Sequence, residues 1–137
     1  MIMESGGILI LFEDKKIRNE SLLYGVELAK RMKSDVSILM LIDGVQKEES
    51  LLLNFKIDDI ILKFKQELLK ISITFTYGDK VSELFKFLAK NPRFKTLIWG
   101  GNEAFFSGRR PKPSQYWFSK VIDYIECPIV TPTLKTA

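Results

Sequence analysis

The sequence has no histidine and only one cysteine, and both facts limit the kinds of catalytic and metal sites that it can form. Without histidine, the Ser-His and Cys-His nucleophile pairs are excluded, and the commonest side-chain metal ligand is missing. The single cysteine, Cys127, cannot form an internal disulfide. The sequence therefore argues against a zinc site and against hydrolases that depend on a histidine base.

Long apolar runs and a strong charge bias are also missing. No apolar run approaches the roughly 20 residues of a membrane-spanning helix, and the opening "MIMESGG" lacks the basic region of a signal peptide. The net charge is only +4, and lysines alternate with acidic residues as on a solvated surface. We therefore expect a cytoplasmic protein with no membrane partner and no nucleic-acid partner.

Short apolar runs alternate along the chain with amphipathic helical patterns, and 137 residues suffice for a single domain over 1–137. The expected strands are 7–12, 35–43, 71–77, 95–101 and 127–133. Between them we expect helices over 20–32, about 48–70 and 80–90, and a fourth from about 115, with Asn19, Asp79 and Ser114 as N-caps.

This alternation predicts an α/β fold. Parallel strands joined by right-handed crossovers form an open five-stranded, doubly wound, Rossmann-like sheet in three layers, α/β/α. Ligands of such sheets bind beyond the carboxyl ends of the strands, where the strand order reverses. The candidate positions are the turns that follow strand one at Glu13 and Asp14, strand two at Ile42 and Asp43, and strand four from Gly100.

Several segments resemble the universal stress protein family. The helix and strand "GVELAKRMKSDV", the unit "YGDKVSELFKFLAK" and the ending "TLIWGG…VIDYIECPIVTP" occur in the family's order and span essentially the whole chain. The resemblance implies the adenine nucleotide alpha hydrolase-like version of the doubly wound fold. It also implies a homodimer, and some members of the family bind ATP.

The ATP-binding members carry a loop after strand four that reads Gly, two residues, Gly, nine residues, Gly, then Ser or Thr. Glycines admit backbone N–H groups to the phosphates, and the hydroxyl at a helix start completes the cradle. Here Gly100 and Ser114 match, but Glu103 and Pro113 replace the other two glycines. An alignment from Cys127 backward shifts the register and keeps no more glycines.

A nucleotide site in this chain would draw on few residues. The resemblance places Glu13 at the ribose or metal side and Leu41 near the adenine. The whole set of nucleotide-binding candidates is Glu13, Leu41, Gly100, Gly101, Asn102, Arg109 and Ser114. Glu103 would repel a triphosphate, whereas Arg109 and Arg110 could oppose that repulsion.

Several of these residues have plainer interpretations. Glu13 and Asp14 could form a solvated turn, Trp99 could pack in the core instead of lining a ligand, and Cys127 is expected to be a buried structural thiol. The loop 105–110 either packs onto the sheet or contacts a protein partner.

The last strand, with Ile129, Val130 and Thr131, is expected at a sheet edge, where the family dimerises. Pro132 would limit that pairing.

The sequence thus favours a non-enzymatic, universal stress protein-like dimer in the stress response, without a cofactor and without standard ATP binding. The alternative is a nucleotide-dependent switch that binds ATP with Mg²⁺. A third hypothesis is a slow nucleotide hydrolase with Glu13 as its base.

Overall fold

The computed structural model describes residues 7–43, 51–67, 69–91, 93–101 and 117–132, with backbone only for 51–56. The strands are β1 Ile8–Glu13, β2 Val36–Ile42, β3 Ile71–Tyr77, β4 Thr96–Trp99 and β5 Ile129–Val130. The helices are α1 Asn19–Met32, α2 Leu51–Gln66, α3 Lys80–Lys90 and α4 Trp117–Val121, and a 3-10 turn, Ile122–Tyr124, follows the last.

The five strands form one sheet in the order β3-β2-β1-β4-β5, and every neighbouring pair is parallel. This confirms the predicted α/β architecture. The chain adds β2 and β3 on one side of β1, then crosses back to add β4 and β5 on the other side. The strand order therefore reverses between β1 and β4, and a ligand crevice is expected at their carboxyl ends.

Helices cover both faces of the sheet, which explains why β1 is buried along its whole length. On one face, α1 and α2 pack on alternate strand residues such as Ile10, Ile38 and Ile98. On the other face, α3 and α4 pack on the strand residues between these, such as Leu11, Leu39 and Leu97. Strands covered on both faces need continuous apolar runs, which is the pattern in the sequence.

Two local predictions were wrong. Asn19 is the first residue of α1 and not its N-cap; Arg18 holds the cap position and makes no side-chain capping bond. The fifth strand is two residues long instead of seven, so Thr131 lies just beyond it. Prolines at 128 and 132 flank this strand and have no N–H to donate, which keeps the ladder short. Ser114 lies outside the described residues.

Asp79 caps α3 as predicted, and its Oδ2 accepts a hydrogen bond from the backbone N–H of Ser82 at 2.9 Å. This bond satisfies one of the unpaired N–H groups of the first turn and lowers the pKa of Asp79. No helix in the described part of the chain is long and apolar enough to cross a membrane.

The Asp79→Ala substitution should lower the melting temperature, because α3 loses its cap. The pKa of Asp79 is lower in the folded chain, so the cap stabilises above the ordinary value of about 3.8 and is lost as the pH falls through the folded-state value. Thermal unfolding of Asp79→Ala and the wild type should therefore differ at pH 6 and converge in strong acid. An equal difference at all pH values would contradict this, and Asp79→Ser serves as the capping control.

Candidate functional site

The carboxyl ends of β1 and β4 meet at the reversal of strand order. Glu13 is the last residue of β1, and Gly100 follows β4 directly. The backbone N–H of Gly100 donates to the Leu11 carbonyl at 2.7 Å, which continues the β1–β4 ladder past the end of the strand. The fold thus places Glu13, Gly100 and Gly101 side by side, as the sequence predicted for a ligand crevice.

Glu13 carries a carboxylate that is almost fully enclosed, since the residue is only 8% exposed. Its Oε1 accepts a hydrogen bond from Lys80 Nζ at 2.8 Å and another from the Trp117 indole Nε1 at 3.0 Å. A buried carboxylate is costly unless a cation and N–H donors compensate for its lost hydration. Both donors come from the chain itself, one from α3 and one from α4.

Lys80, the first residue of α3, links two carboxylates. Its Nζ lies 2.8 Å from Glu13 Oε1 and 2.7 Å from Asp14 Oδ2, and its side chain is 11% exposed. Burial by itself lowers the pKa of Lys80, but the ion pairs with Asp14 and Glu13 outweigh it and raise that pKa above its ordinary value. Lys80 is therefore a charged structural partner and not a candidate nucleophile.

The turn that follows β1 has an unusual backbone. Asp14 and Lys15 both adopt left-handed conformations, with φ of 53° and 63°. Such residues cost free energy and persist where surrounding contacts fix them. Here the Asp14 N–H donates to the Leu41 carbonyl at 2.8 Å, and the Lys16 N–H donates to the Glu13 carbonyl at 3.1 Å. These bonds and the ion pair to Lys80 hold Asp14 beside Glu13.

Aromatic rings form the wall behind the carboxylate. Trp99 is 2% exposed and stacks on Phe118, with ring centroids 4.0 Å apart and planes 3° from parallel. Trp117 meets Trp99 edge to face at 5.6 Å. Such contacts add to the free energy gained by burying the rings. The prediction that Trp99 belongs to the core is confirmed.

Gly101 is a glycine because two groups approach its backbone. A Cβ at this position would overlap a ring carbon of Trp99 and lie 2.6 Å from Glu13 Oε2. No side chain fits without displacing the indole or the carboxylate. The local packing alone therefore accounts for this glycine, whether or not a phosphate binds near it.

The other candidates divide into two groups. Leu41 has no exposed surface and belongs to the core beneath α3 and α4, so its role near an adenine stays a prediction. Asn102, Arg109 and Ser114 lie outside the described residues, as does the loop 105–110. Cys127 is half-buried, and burial raises the pKa of its thiol, which fits a structural cysteine.

The solvated-turn interpretation holds for only one of the two acidic residues. The Asp14 side chain is half exposed, but Glu13 is buried, and the expectation of a solvated Glu13 was wrong. The physical reason is that α3 and α4 extend over the end of β1 and supply the donors that a buried carboxylate requires.

Lys80 and Trp117 were not predicted to contact Glu13. One signal for Lys80 was present: a cation at the first position of a helix opposes the helix dipole, which favours anions there. Such a local conflict often marks a residue with a specific partner. No comparable signal identified Trp117 as the donor to Glu13.

The described residues do not fit a magnesium ion at Glu13. Oε1 already accepts two N–H donors, and the Lys80 ammonium beside it would repel a divalent cation. Within the part of the chain that the structure describes, no three His, Cys, Asp or Glu residues are grouped as metal ligands would be.

Solved structures that share this fold include universal stress proteins. The structure from Archaeoglobus fulgidus is 13% identical, with a TM-score of 0.66, covering 93% of this chain and 98% of that one. The Arabidopsis thaliana protein with AMP bound is 13% identical, with a TM-score of 0.52 and coverage of 95% and 93%. A universal stress protein in complex with cAMP is 8% identical, with a TM-score of 0.58 and coverage of 96% and 100%.

No protein-family model matches the sequence, and neither does any curated protein. At these identities the likeness is one of fold. The chain therefore has the α/β fold of universal stress proteins over nearly its whole length.

The Gly101→Ala substitution should lower the free energy of unfolding by about 1–3 kcal/mol, because the methyl group would overlap Trp99 and Glu13. Urea unfolding measures the loss, and the near-ultraviolet circular dichroism of the tryptophans should change with it. Lys90→Ala, at an exposed position on α3, is the control. Wild-type stability in Gly101→Ala would contradict the packing described.

The Lys80→Met substitution should cost about 3 kcal/mol near neutral pH, because it leaves a buried carboxylate without its cation. The Lys80 pKa is raised on folding, so its contribution is complete below the ordinary value of about 10.5 and is lost as the pH rises through the folded-state value. Urea unfolding from pH 8 to 11.5 should show the difference from the wild type shrinking above about pH 10.5.

Lys86→Met is the matched control, because Lys86 lies on the same helix and its side chain is 70% exposed. It should cost less than 1 kcal/mol, as do most surface ion pairs. An equal loss in both variants, or a Lys80→Met loss that does not change with pH, would contradict the internal ion pair.

Proposed function

We propose that this chain is a universal stress protein-like domain of the cytoplasm that acts without catalysis in the stress response. It works as a homodimer and does not bind ATP in the standard manner of that family. A protein partner would contact the loop 105–110. The fold and the resemblance of the sequence segments support the family assignment.

One observation carries the proposal: the carboxylate that ends β1 is held by the chain's own donors. The resemblance assigns the acidic residue at this position to a ribose or a metal ion. In this chain Lys80 Nζ and Trp117 Nε1 both donate hydrogen bonds to Glu13 Oε1, at 2.8 and 3.0 Å. A ligand that took this oxygen would have to displace a buried ion pair and a buried hydrogen bond.

The loop sequence supports the same proposal. Glu103 and Pro113 stand where the family pattern has glycines, so one adds a repulsive charge and the other removes a backbone donor.

A nucleotide-dependent switch is the second candidate, since two structures of the same fold contain AMP and cAMP. In that case Arg109, Arg110 and Ser114 would bind the phosphates, and Glu13 would face the ribose or the metal ion. No cofactor is part of the first proposal; ATP with Mg²⁺ is part of the second.

Calorimetric titration with ATP and Mg²⁺ tests the proposal. We expect no heat of binding and no shift in melting temperature at millimolar ATP, because Glu13 is already occupied and the glycine pattern is broken. Binding near micromolar Kd that weakens in Arg109→Ala would contradict the proposal and establish the switch. The matched control is Arg93→Ala, an exposed arginine that precedes β4 and so lies toward the amino ends of the strands, away from the site.

A further inference from the structure

The strand β3 forms one edge of the sheet, and it lacks the usual protection of an edge. In the described residues it pairs with β2 alone. The strand is seven residues long, ISITFTY, and none of them is charged, a proline or a glycine. Exposed edges normally carry charges or proline, because a row of free N–H and C=O groups invites pairing with another chain.

The direction of each backbone group on β3 follows from the ladder with β2. The Lys70 carbonyl accepts from the Val36 N–H at 2.9 Å, and the Gly78 N–H donates to the Ile42 carbonyl at 3.0 Å. Even-numbered residues therefore face β2, and odd-numbered residues direct their N–H and C=O groups to the free edge. The residues whose backbone N–H and C=O groups point to the free edge are Ile71, Ile73, Phe75 and Tyr77.

We propose that β3 pairs antiparallel with β3 of a second copy of this chain, with Thr74 on the two-fold axis. This register opposes Ile73 to Phe75 of the partner subunit and Ile71 to Tyr77 of the partner subunit. In each of these pairs, both residues direct their backbone groups to the free edge. The two residues therefore exchange two backbone hydrogen bonds. The two sheets then form one continuous sheet.

The side chains of β3 match in this register because the strand alternates strictly. Apolar residues occupy its odd positions and hydroxyl residues its even positions, apart from the aromatic hydroxyl of Tyr77. Apolar pairs therefore form on the face toward α2, and Thr74 meets the partner's Thr74 on the other face. Cross-strand pairs of aromatic with β-branched residues, and of threonine with threonine, stabilise antiparallel sheets.

An open groove beside the edge adds apolar surface for the same contact. Its volume is about 670 Å³, and it lies between α2 and β3. Phe75 within it is 36% exposed. The apolar residues that line it are Ile57, Ile61, Leu69, Ile71, Ile73 and Phe75. A second copy would cover part of this surface and remove it from water.

Charges at the ends of the strand favour the same register. Lys70 precedes β3 and Asp79 follows Gly78. Antiparallel pairing about Thr74 places Lys70 opposite the partner's Gly78, next to the partner's Asp79, and the two-fold axis repeats this contact. The strand between them is uncharged, so no like charges oppose each other along it.

This inference specifies the homodimer of the proposed function and is independent of the nucleotide question. It assigns the contact to β3 rather than to the last strand, because β5 offers only Ile129 and Val130 between two prolines.

Disulfide trapping tests the register. In a Cys127→Ser background, Thr74→Cys places two thiols across the axis at a non-hydrogen-bonded pair. The Cα atoms there are about 4.5 Å apart, within the range of disulfides. Ser72→Cys in the same background is the matched control, because Ser72 opposes Thr76 and the two Ser72 Cα atoms lie about 13 Å apart. Val130→Cys tests the β5 alternative.

Mild oxidation should convert most of the Thr74→Cys protein to a covalent dimer and leave the Ser72→Cys protein unlinked. Sedimentation of the wild type at micromolar concentration should show a dimer. A wild-type dimer that cross-links through Val130→Cys and not through Thr74→Cys would overturn the β3 interface and leave the dimer of the proposed function intact. A wild type that remains monomeric would overturn both.

Discussion

A carboxylate buried at the end of the central strand requires a cation and N–H donors, and the rest of this site depends on that requirement. Glu13 obtains them from Lys80 on α3 and Trp117 on α4. The same carboxylate thus joins the central strand to both helices of one face. Lys80 in turn fixes Asp14, whose left-handed backbone turns the chain toward α1.

This arrangement shows how a doubly wound fold can satisfy a buried carboxylate at its crevice with its own side chains. The reversal of strand order creates a crevice in any doubly wound sheet, and polar groups at the strand ends must be satisfied by a ligand, by water or by the chain. Here the chain supplies the donors. Trp99 and Trp117 fill the space behind the carboxylate and lie against Gly101 and Phe118.

The sequence predicted the fold well because local patterns determine it. Continuous apolar runs predicted the buried strands, the helical spacing of apolar residues predicted the helices, and the alternation of both predicted the parallel sheet. Asp79 followed from capping preferences. The position of Glu13 at the crevice was also predictable, since β1 ends there.

The partners of Glu13 were not predictable, because they lie 67 and 104 residues away in sequence, and only tertiary packing brings them together. The short β5 was missed for a different reason. Apolar composition indicates strand character, but Pro128 and Pro132 remove the donors that a longer ladder needs. The exposed edge of β3 became evident only once the strand order was known.

The most direct test of this account uses the indole N–H signals in a nitrogen–proton correlation spectrum, since the chain has two tryptophans. The Trp117 signal, assigned by its loss in Trp117→Phe, should move in Glu13→Gln and should stay unchanged when ATP and Mg²⁺ are added at millimolar concentration. If neither indole signal changes its chemical shift in Glu13→Gln, the hydrogen bond from Trp117 to Glu13 is contradicted. An indole signal that shifts at micromolar ATP would contradict the claim that the chain itself occupies the site.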